Sequence, residues 1–373
     1  MRRFLGLSLT LMTFLGVFGS GAAVASGASD PKSDEFVLVQ DRYSQKQNGI
    51  LSFSLEANVF EWGSVTLQKL FMEIICEYAK KDCSKLSPEE RQRYLSRTRH
   101  TIVDHESGKT LAVQLAIPGQ PAAHFRSSRS GSDGWIRNQK NLDWSATISE
   151  STIEWEIQNL SGRPPQKHSS TIVDLDSEGL SIICDIDDTI RESHVLNRAR
   201  LLTTILFEPF KIVDPVLARI RELRSASAAH FVPLHFVSAG PSPMYSGLRE
   251  GLDVAGLRQS EIYLRPFRFK DRSSFDFFKQ DTLSYKVATI KKLFETYPKR
   301  RFVLIGDSGE KDPEVYREIL RLFPSRVEKI IIRRIQGANN EPKRFEGLSC
   351  EFIDETINKT IGEGPVACQD PVK

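Results

Sequence analysis

Residues 181–190 read SIICDIDDTI, with RES directly behind them. Ser181 to Cys184 have the make-up of a buried strand. They lead at once to three carboxylates, Asp185, Asp187 and Asp188, within four positions. Like charges that close raise one another's pKa or demand a cation. Such a stretch works against folding unless the crowding serves a purpose.

The sequence around it indicates the frame. Apolar runs at Leu180 to Cys184, Phe231 to Val237, Ile262 to Leu264, Phe302 to Ile305 and Val327 to Ile332 alternate with helical patterns at Asp214 to Ala226, Tyr285 to Tyr297 and Asp312 to Phe323. Continuous apolar strands separated by helices predict an α/β fold, a doubly wound parallel sheet covered on both faces. Ligands of such sheets sit beyond the carboxyl ends of the strands. Asp185 falls at one such end. Asp307 follows another in GDSGEKD, with Asp312 in the same loop, and Ser238 follows a third in SAGPSP. Lys286 opens the helix that leads into the strand before Asp307.

These residue types suit phosphoryl transfer through an aspartyl-phosphate. A carboxylate attacks phosphorus once a divalent cation cancels its repulsion from the phosphate oxygens. A second carboxylate two positions on can protonate the leaving oxygen and then deprotonate water. A hydroxyl and an ammonium can hold the phosphate. A donor set of carboxylates without a His or Cys cluster favours Mg²⁺. Alternatives stay open on the residues alone. Lys270, Lys279, Lys291 and Lys292 compete with Lys286, and Asp312 could be a first-turn helix acid. Cys184, closing an apolar strand, reads as a buried inert thiol.

Asp185-Ile-Asp187-Asp188-Thr189, Ser238, Lys286 and Gly306-Asp307 to Asp312 resemble, in order, the four motifs of the haloacid-dehalogenase superfamily of phosphatases. More narrowly, DIDDTIRES, FVSAGPSP, LIGDSGEKDPEVY and IIIRRI resemble the catalytic domain of the actin-patch type of Mg²⁺-dependent phosphatidate phosphatases. The resemblance implies a haloacid-dehalogenase-like sheet, Asp185 as nucleophile and Asp187 as general acid and base. It implies Thr189, Ser238 and Lys286 around the phosphate, and Mg²⁺ held by Asp185, Asp307 and the main chain of Asp187. Asp312 is a further metal candidate, and Asp188 supports the loop. That family's second motif usually reads Ser-Asn-Ser-Pro. Here Ser238 is followed by Ala239-Gly240-Pro241-Ser242-Pro243, so Ser242 stays an alternative and leaving-group recognition is where the chain departs.

The remaining sequence bounds the setting. A chain of 373 residues, 40% hydrophobic and 27% charged, has room for two domains, and a net charge of +3 without a basic aromatic stripe argues against a nucleic-acid partner. Arg2-Arg3, the apolar run from Phe4 to about Phe18 and Ala23-Val24-Ala25 compose a signal peptide over residues 1–25. The run is short of the roughly 20 apolar residues of a spanning helix. A periplasmic or secreted protein is expected. In that compartment Cys76 with Cys83, and Cys350 with Cys368, could pair.

Residues 26–35 read as a linker. Residues 36–165 read as a strand-rich α+β domain of unknown role, with strands at Ile50 to Trp62 and Ser151 to Leu160, helices at Val65 to Lys80 and after Ser87, and a loop over 118–142. Residues 170–340 read as the catalytic domain and 341–373 as a C-terminal tail. The segments between the first three motifs, about fifty residues each, leave no room for a large cap. The apolar stretch Leu201 to Phe210, LLTTILFEPF, would meet acyl chains if exposed and otherwise packs inside.

The expectation is an Mg²⁺-dependent phosphomonoesterase for phosphatidate or a related lipid phosphate, in peripheral contact with a membrane. A phosphatase for soluble phosphomonoesters or phosphoproteins is the alternative, and a non-catalytic secreted binding protein the third.

Overall fold

Alternation of apolar and polar residues builds the first of two sheets. The computed structural model describes residues 27–117, 119–144, 152–226, 231–267 and 281–354. The expected signal segment 1–25 and Cys368 lie outside the described residues. Strands β1 (Glu35–Gln40), β2 (Ser44–Gln47) and β3 (Ile50–Trp62) are followed by helices α1 (Val65–Ala79) and α2 (Pro88–Thr98). Then come β4 (Val103–His105), β5 (Ala112–Ala116), β6 (Ala123–Arg126), β7 (Trp135–Asp143), β8 (Thr152–Ile157) and β9 (Gln166–Asp174). The sheet runs β1-β3-β2-β9-β8-β5-β6, with β4 and β7 also on β3. Every second residue of β3, Leu51, Phe53, Leu55, Ala57 and Val59, is buried in one core with Val113, Ile153 and Trp155.

The stretch 118–142, expected as loop, carries β6 and nearly all of β7. The polar sequence of β7 gave no apolar period, because only Ile136 is buried in it. Backbone pairing holds it instead, from Trp135 opposite Asn58 to Asp143 opposite Ile50. Residues 27–35 also differ from a free linker: Ser29 bridges Lys109, Asp30 pairs with Arg126 at 2.6 Å, and Glu35 is buried against Lys109 at 2.6 Å.

The second sheet contains β10 (Gly179–Cys184), β11 (Leu234–Pro241), β12 (Glu261–Arg265), β13 (Arg300–Asp307), β14 (Val327–Arg334) and β15 (Cys350–Asp354). All pair parallel, in the order β12-β11-β10-β13-β14-β15. The order reverses at β10. Between the strands lie α3 (Arg198–Leu206), α4 (Asp214–Ser225), α5 (Tyr245–Val254), α6 (Thr282–Thr296) and α7 (Asp312–Leu322). Ile182 and Cys184 of β10 face the core lined by α4 and α5, while Ile183 faces that of α6 and α7. Burial on both faces explains why these strands read as unbroken apolar runs. The expected tail supplies β15, whose Cys350 pairs with Ile330. Gln166–Asp174, placed in sequence across the domain boundary, belongs to the first sheet through β8 and β2.

The two helices inserted after β3 clamp the region beside β10. Ser87 caps α2 with a full capping box, and Cys76–Cys83 closes a disulfide next to it. Their apolar faces cover Ile205, Leu206 and Phe207. LLTTILFEPF is therefore packing, not an exposed acyl-chain surface. Arg97 donates to the carbonyls of Ile205 (3.0 Å) and Glu208 (2.7 Å), and Gly247 in α5 leaves room for its stem. Among the described residues no helix is long and apolar enough to cross a membrane.

Just past α2, His100 sits against Phe60 and Trp62, its Nε2 without a hydrogen-bond partner. Burial, helped by Arg99 and His105, lowers its pKa to about 3. Unfolded histidine titrates near 6.5, so the stability present above that pH drains away as pH falls toward 3. His100→Phe is expected to shrink the stability lost between pH 7 and pH 4.5 by about 2 kcal/mol, measured by urea unfolding at the two pH values.

Candidate active site

Strand register brings three of the candidate residues to one end of the parallel sheet. Cys184 pairs with Phe236 on β11 and with Ile305 on β13. Ser238 and Asp307 thus each lie two residues past the level of Cys184, on either side of Asp185. Asp185 N donates to the Ile305 carbonyl at 2.9 Å, continuing the ladder by one step and fixing where its carboxylate emerges.

Lys286, in the second turn of α6, reaches into this end and is 1% exposed. Its Nζ lies 2.7 Å from Asp185 Oδ1, 2.6 Å from Asp312 Oδ1 and 3.4 Å from Glu310 Oε2. The approach to Asp185 makes a buried ion pair. Of the competing lysines, Lys291 pairs with Glu295 on the exposed side of α6, and Lys270 and Lys279 lie outside the described residues.

Asp312 opens α7 and is fully buried. Its Oδ2 accepts from Asp307 N at 3.1 Å. Gly306 permits this, since a Cβ there would lie 2.5 Å from that oxygen. Asp307 Oδ1 accepts from the amides of Gly309 (2.6 Å) and Glu310 (3.1 Å), folding the GDSGEKD loop around its own first acid. Thr189 Oγ1 lies 3.3 Å from Asp185 Oδ2 and 3.4 Å from Asp307 Oδ2, joining the two loops.

One oxygen from each of Asp185, Asp307 and Asp312 lies within 4.8 Å of the others, all three residues buried. Burial pushes Asp185 well above the usual carboxylate range against the pull of Lys286. Burial, then Asp312 and Asp185, does the same to Asp307. Burial alone would lower the Lys286 ammonium, but Asp185, Asp312 and Glu310 raise it well above its ordinary value. One ammonium does not balance three buried carboxylates. Hard oxygen donors in this number and spacing fit a divalent cation. Glu35, Glu61 and Glu106 form a second acidic group, but Lys109 already neutralises its buried member.

The other predicted residues divide. Asp188 adopts the left-handed region (φ 53°) and folds the loop: its carboxylate accepts from the amides of Ser193 (2.7 Å), His194 (2.8 Å) and Val195 (2.7 Å). Ser238 is buried, its Oγ accepting from Gly240 N at 3.0 Å, while Ser242 Oγ is engaged by Phe267 N at 3.2 Å. Burial raises the Cys184 thiol well above its ordinary value, as an inert core thiol should be.

Two residues of the site had no role in the sequence reading. Glu310 stands inside the quoted GDSGEKD. Arg191, in RES, turns back on Asp187: its Nε lies 3.1 Å from Asp187 Oδ1, and Nη2 meets the same oxygen. The signal for Arg191 was its place four residues after Asp187, but the pairing depends on the tight turn at Ile186, whose carbonyl accepts from Ile190 (3.1 Å) and Arg191 (3.0 Å).

Comparison with known proteins agrees with this geometry. Residues 180–334 match the family model described as phosphatidate phosphatase APP1, catalytic domain. An uncharacterized protein of Schizosaccharomyces pombe is 30% identical over 174 residues, 46% of this chain and 27% of its own. Phosphatidate phosphatase APP1 of Saccharomyces cerevisiae is 26% identical over 158 residues, 42% of this chain and 26% of its own. The chain spans about a quarter of the length of these relatives. The match over residues 180–334 supports a likeness to the APP1-like phosphatidate phosphatases, the resemblance that the four motifs carry.

Proposed function

We propose that this chain is an Mg²⁺-dependent phosphomonoester hydrolase that works through an aspartyl-phosphate on Asp185, with phosphatidate or a related lipid phosphate as substrate. The observation that carries it is the convergence of Asp185, Asp307, Asp312 and Lys286, each at most 2% exposed, at the carboxyl end of a parallel sheet. The strand order that reverses at β10 supports a doubly wound, haloacid-dehalogenase-like fold from β10 (Gly179–Cys184) to β15 (Cys350–Asp354). The N-terminal segment supports export to a periplasm or beyond, and the lipid substrate implies peripheral contact with a membrane.

In this reading Asp185 attacks phosphorus while Asp187 gives a proton to the leaving oxygen. Asp187 then takes a proton from the water that releases phosphate from Asp185. Lys286, Ser238 and Thr189 hold the phosphate oxygens, and binding of phosphate displaces Glu310 from Lys286. Asp185, Asp307, Asp312 and the main chain of Asp187 would hold Mg²⁺. When bound, the cation screens the carboxylates from the incoming phosphate and supplies the positive charge that Lys286 alone cannot.

The test is phosphate release by the mature protein from phosphatidate vesicles and from 4-nitrophenyl phosphate, with Mg²⁺ and with EDTA. Mg²⁺-dependent release from the vesicles is the expected result. Release from the aryl phosphate alone would remove the lipid substrate, and release undiminished by EDTA would remove the metal.

A further inference from the structure

The Asp187–Arg191 pair has features that a surface ion pair lacks. The Arg191 side chain is 4% exposed and that of Asp187 18%. Arg191 is fixed at its backbone, bridging Asp187 on one side and Ile212 on the other. Its guanidinium lies 5.4 Å over the Phe210 ring, which Gly251 in turn accommodates. Little freedom remains to a fork anchored at both ends. Both of its contacts fall on Oδ1 of Asp187.

A carboxylate alone turns easily about its last torsion, which is broad and two-fold. Proton transfer needs one oxygen held in line with the leaving group, and a misplacement of about 1 Å can cost a factor on the order of 100. A fork gripping one oxygen removes that freedom.

We propose that Arg191 is the positioning residue of the acid–base carboxylate, holding Oδ1 of Asp187 so that Oδ2 delivers and recovers the proton. This rests on the function proposed above. In the first half-reaction an Asp185 oxygen bonds to phosphorus and the bond to the leaving oxygen breaks. Oδ2 gives that oxygen its proton, so an alcohol departs. In the second, a water oxygen bonds to phosphorus, the aspartyl P–O bond breaks, and Oδ2 takes the proton that water loses. Both carboxyl groups return to their starting states.

The experiment measures kcat/KM with Mg²⁺ across a series of aryl phosphates, from 4-nitrophenyl phosphate, whose leaving group scarcely needs a proton, to phenyl phosphate, whose leaving group does. For R191M the expected loss on phenyl phosphate is on the order of 100-fold, with a loss below about 10-fold on 4-nitrophenyl phosphate. R191K keeps the charge without the fork and is expected to fall between. It carries the same test if R191M does not fold. An equal loss on every substrate, or none, overturns the positioning role and leaves Arg191 structural. A wild type inactive both across the series and on phosphatidate vesicles, or an Asp185→Asn protein as active as wild type on whichever substrate is turned over, overturns the reading of the site itself.

Discussion

Replacing Lys286 with methionine is expected to destabilise the metal-free protein by about 3–5 kcal/mol, the usual result of removing one partner from a buried ion pair. The side chain is 1% exposed, and Asp185, Asp312 and Glu310 all lie within 3.4 Å of its ammonium. Methionine fills the space but leaves those carboxylates facing one another. Urea unfolding in EDTA measures the loss. Mg²⁺ is expected to recover some of it, because a ligand that binds only the folded state stabilises by mass action. Activity should fall as well, by a factor on the order of 100 to 1,000, since a fixed charge on the transferring phosphate is lost. Unchanged stability in EDTA would mean that the carboxylates are neutral in the folded protein and that Lys286 balances nothing.

The same crowding explains what could be read in advance. Two-sided burial leaves a long apolar signature, so β10, β11, β13 and β14 were legible, and so was the acid that ends β10. Asp307 and Lys286 were legible because their chemistry complements that of Asp185. Strands held by pairing alone were not. β7 has one buried side chain, Ile136, and β15 is five residues long with a single buried one, Cys350. Arg191 is not legible in the sequence because its partner is chosen by a turn, not by a period. The helices of the insert are legible in the sequence. Its seat on LLTTILFEPF is not, since contact between Tyr94 and Phe207, stacked at 5.3 Å, joins residues far apart in sequence.

The seating of that insert bears on the substrate. Three apolar residues of the stretch that follows the nucleophile loop, Ile205, Leu206 and Phe207, are consumed by packing on α1 and α2, whereas Leu196, nearer the loop, is exposed. Arg97 ties the same helix to the segment after Ser238, through Gly247. The strand-rich half therefore braces the catalytic sheet on the side from which the first two motif loops emerge.

Asp185→Asn is expected to abolish Mg²⁺-dependent phosphate release, with kcat down by a factor on the order of 10,000 or more, as when a covalent nucleophile is removed. Asparagine has nearly the same shape, and the site it enters is one where burial already disfavours the charged form. The variant should therefore fold, and its melting temperature in EDTA should equal or exceed that of the wild type. The second readout is the rise in melting temperature on adding Mg²⁺. It should shrink, because the substituted side chain offers the cation a neutral amide oxygen where Asp185 offered a charged one, leaving Asp307 and Asp312 as the remaining charged oxygens within 4.8 Å. The two measurements separate two duties of one side chain. Lost turnover with an undiminished Mg²⁺ effect would keep Asp185 as nucleophile and remove it from the metal. A diminished Mg²⁺ effect with full turnover would leave the cation in place and end the aspartyl-phosphate mechanism.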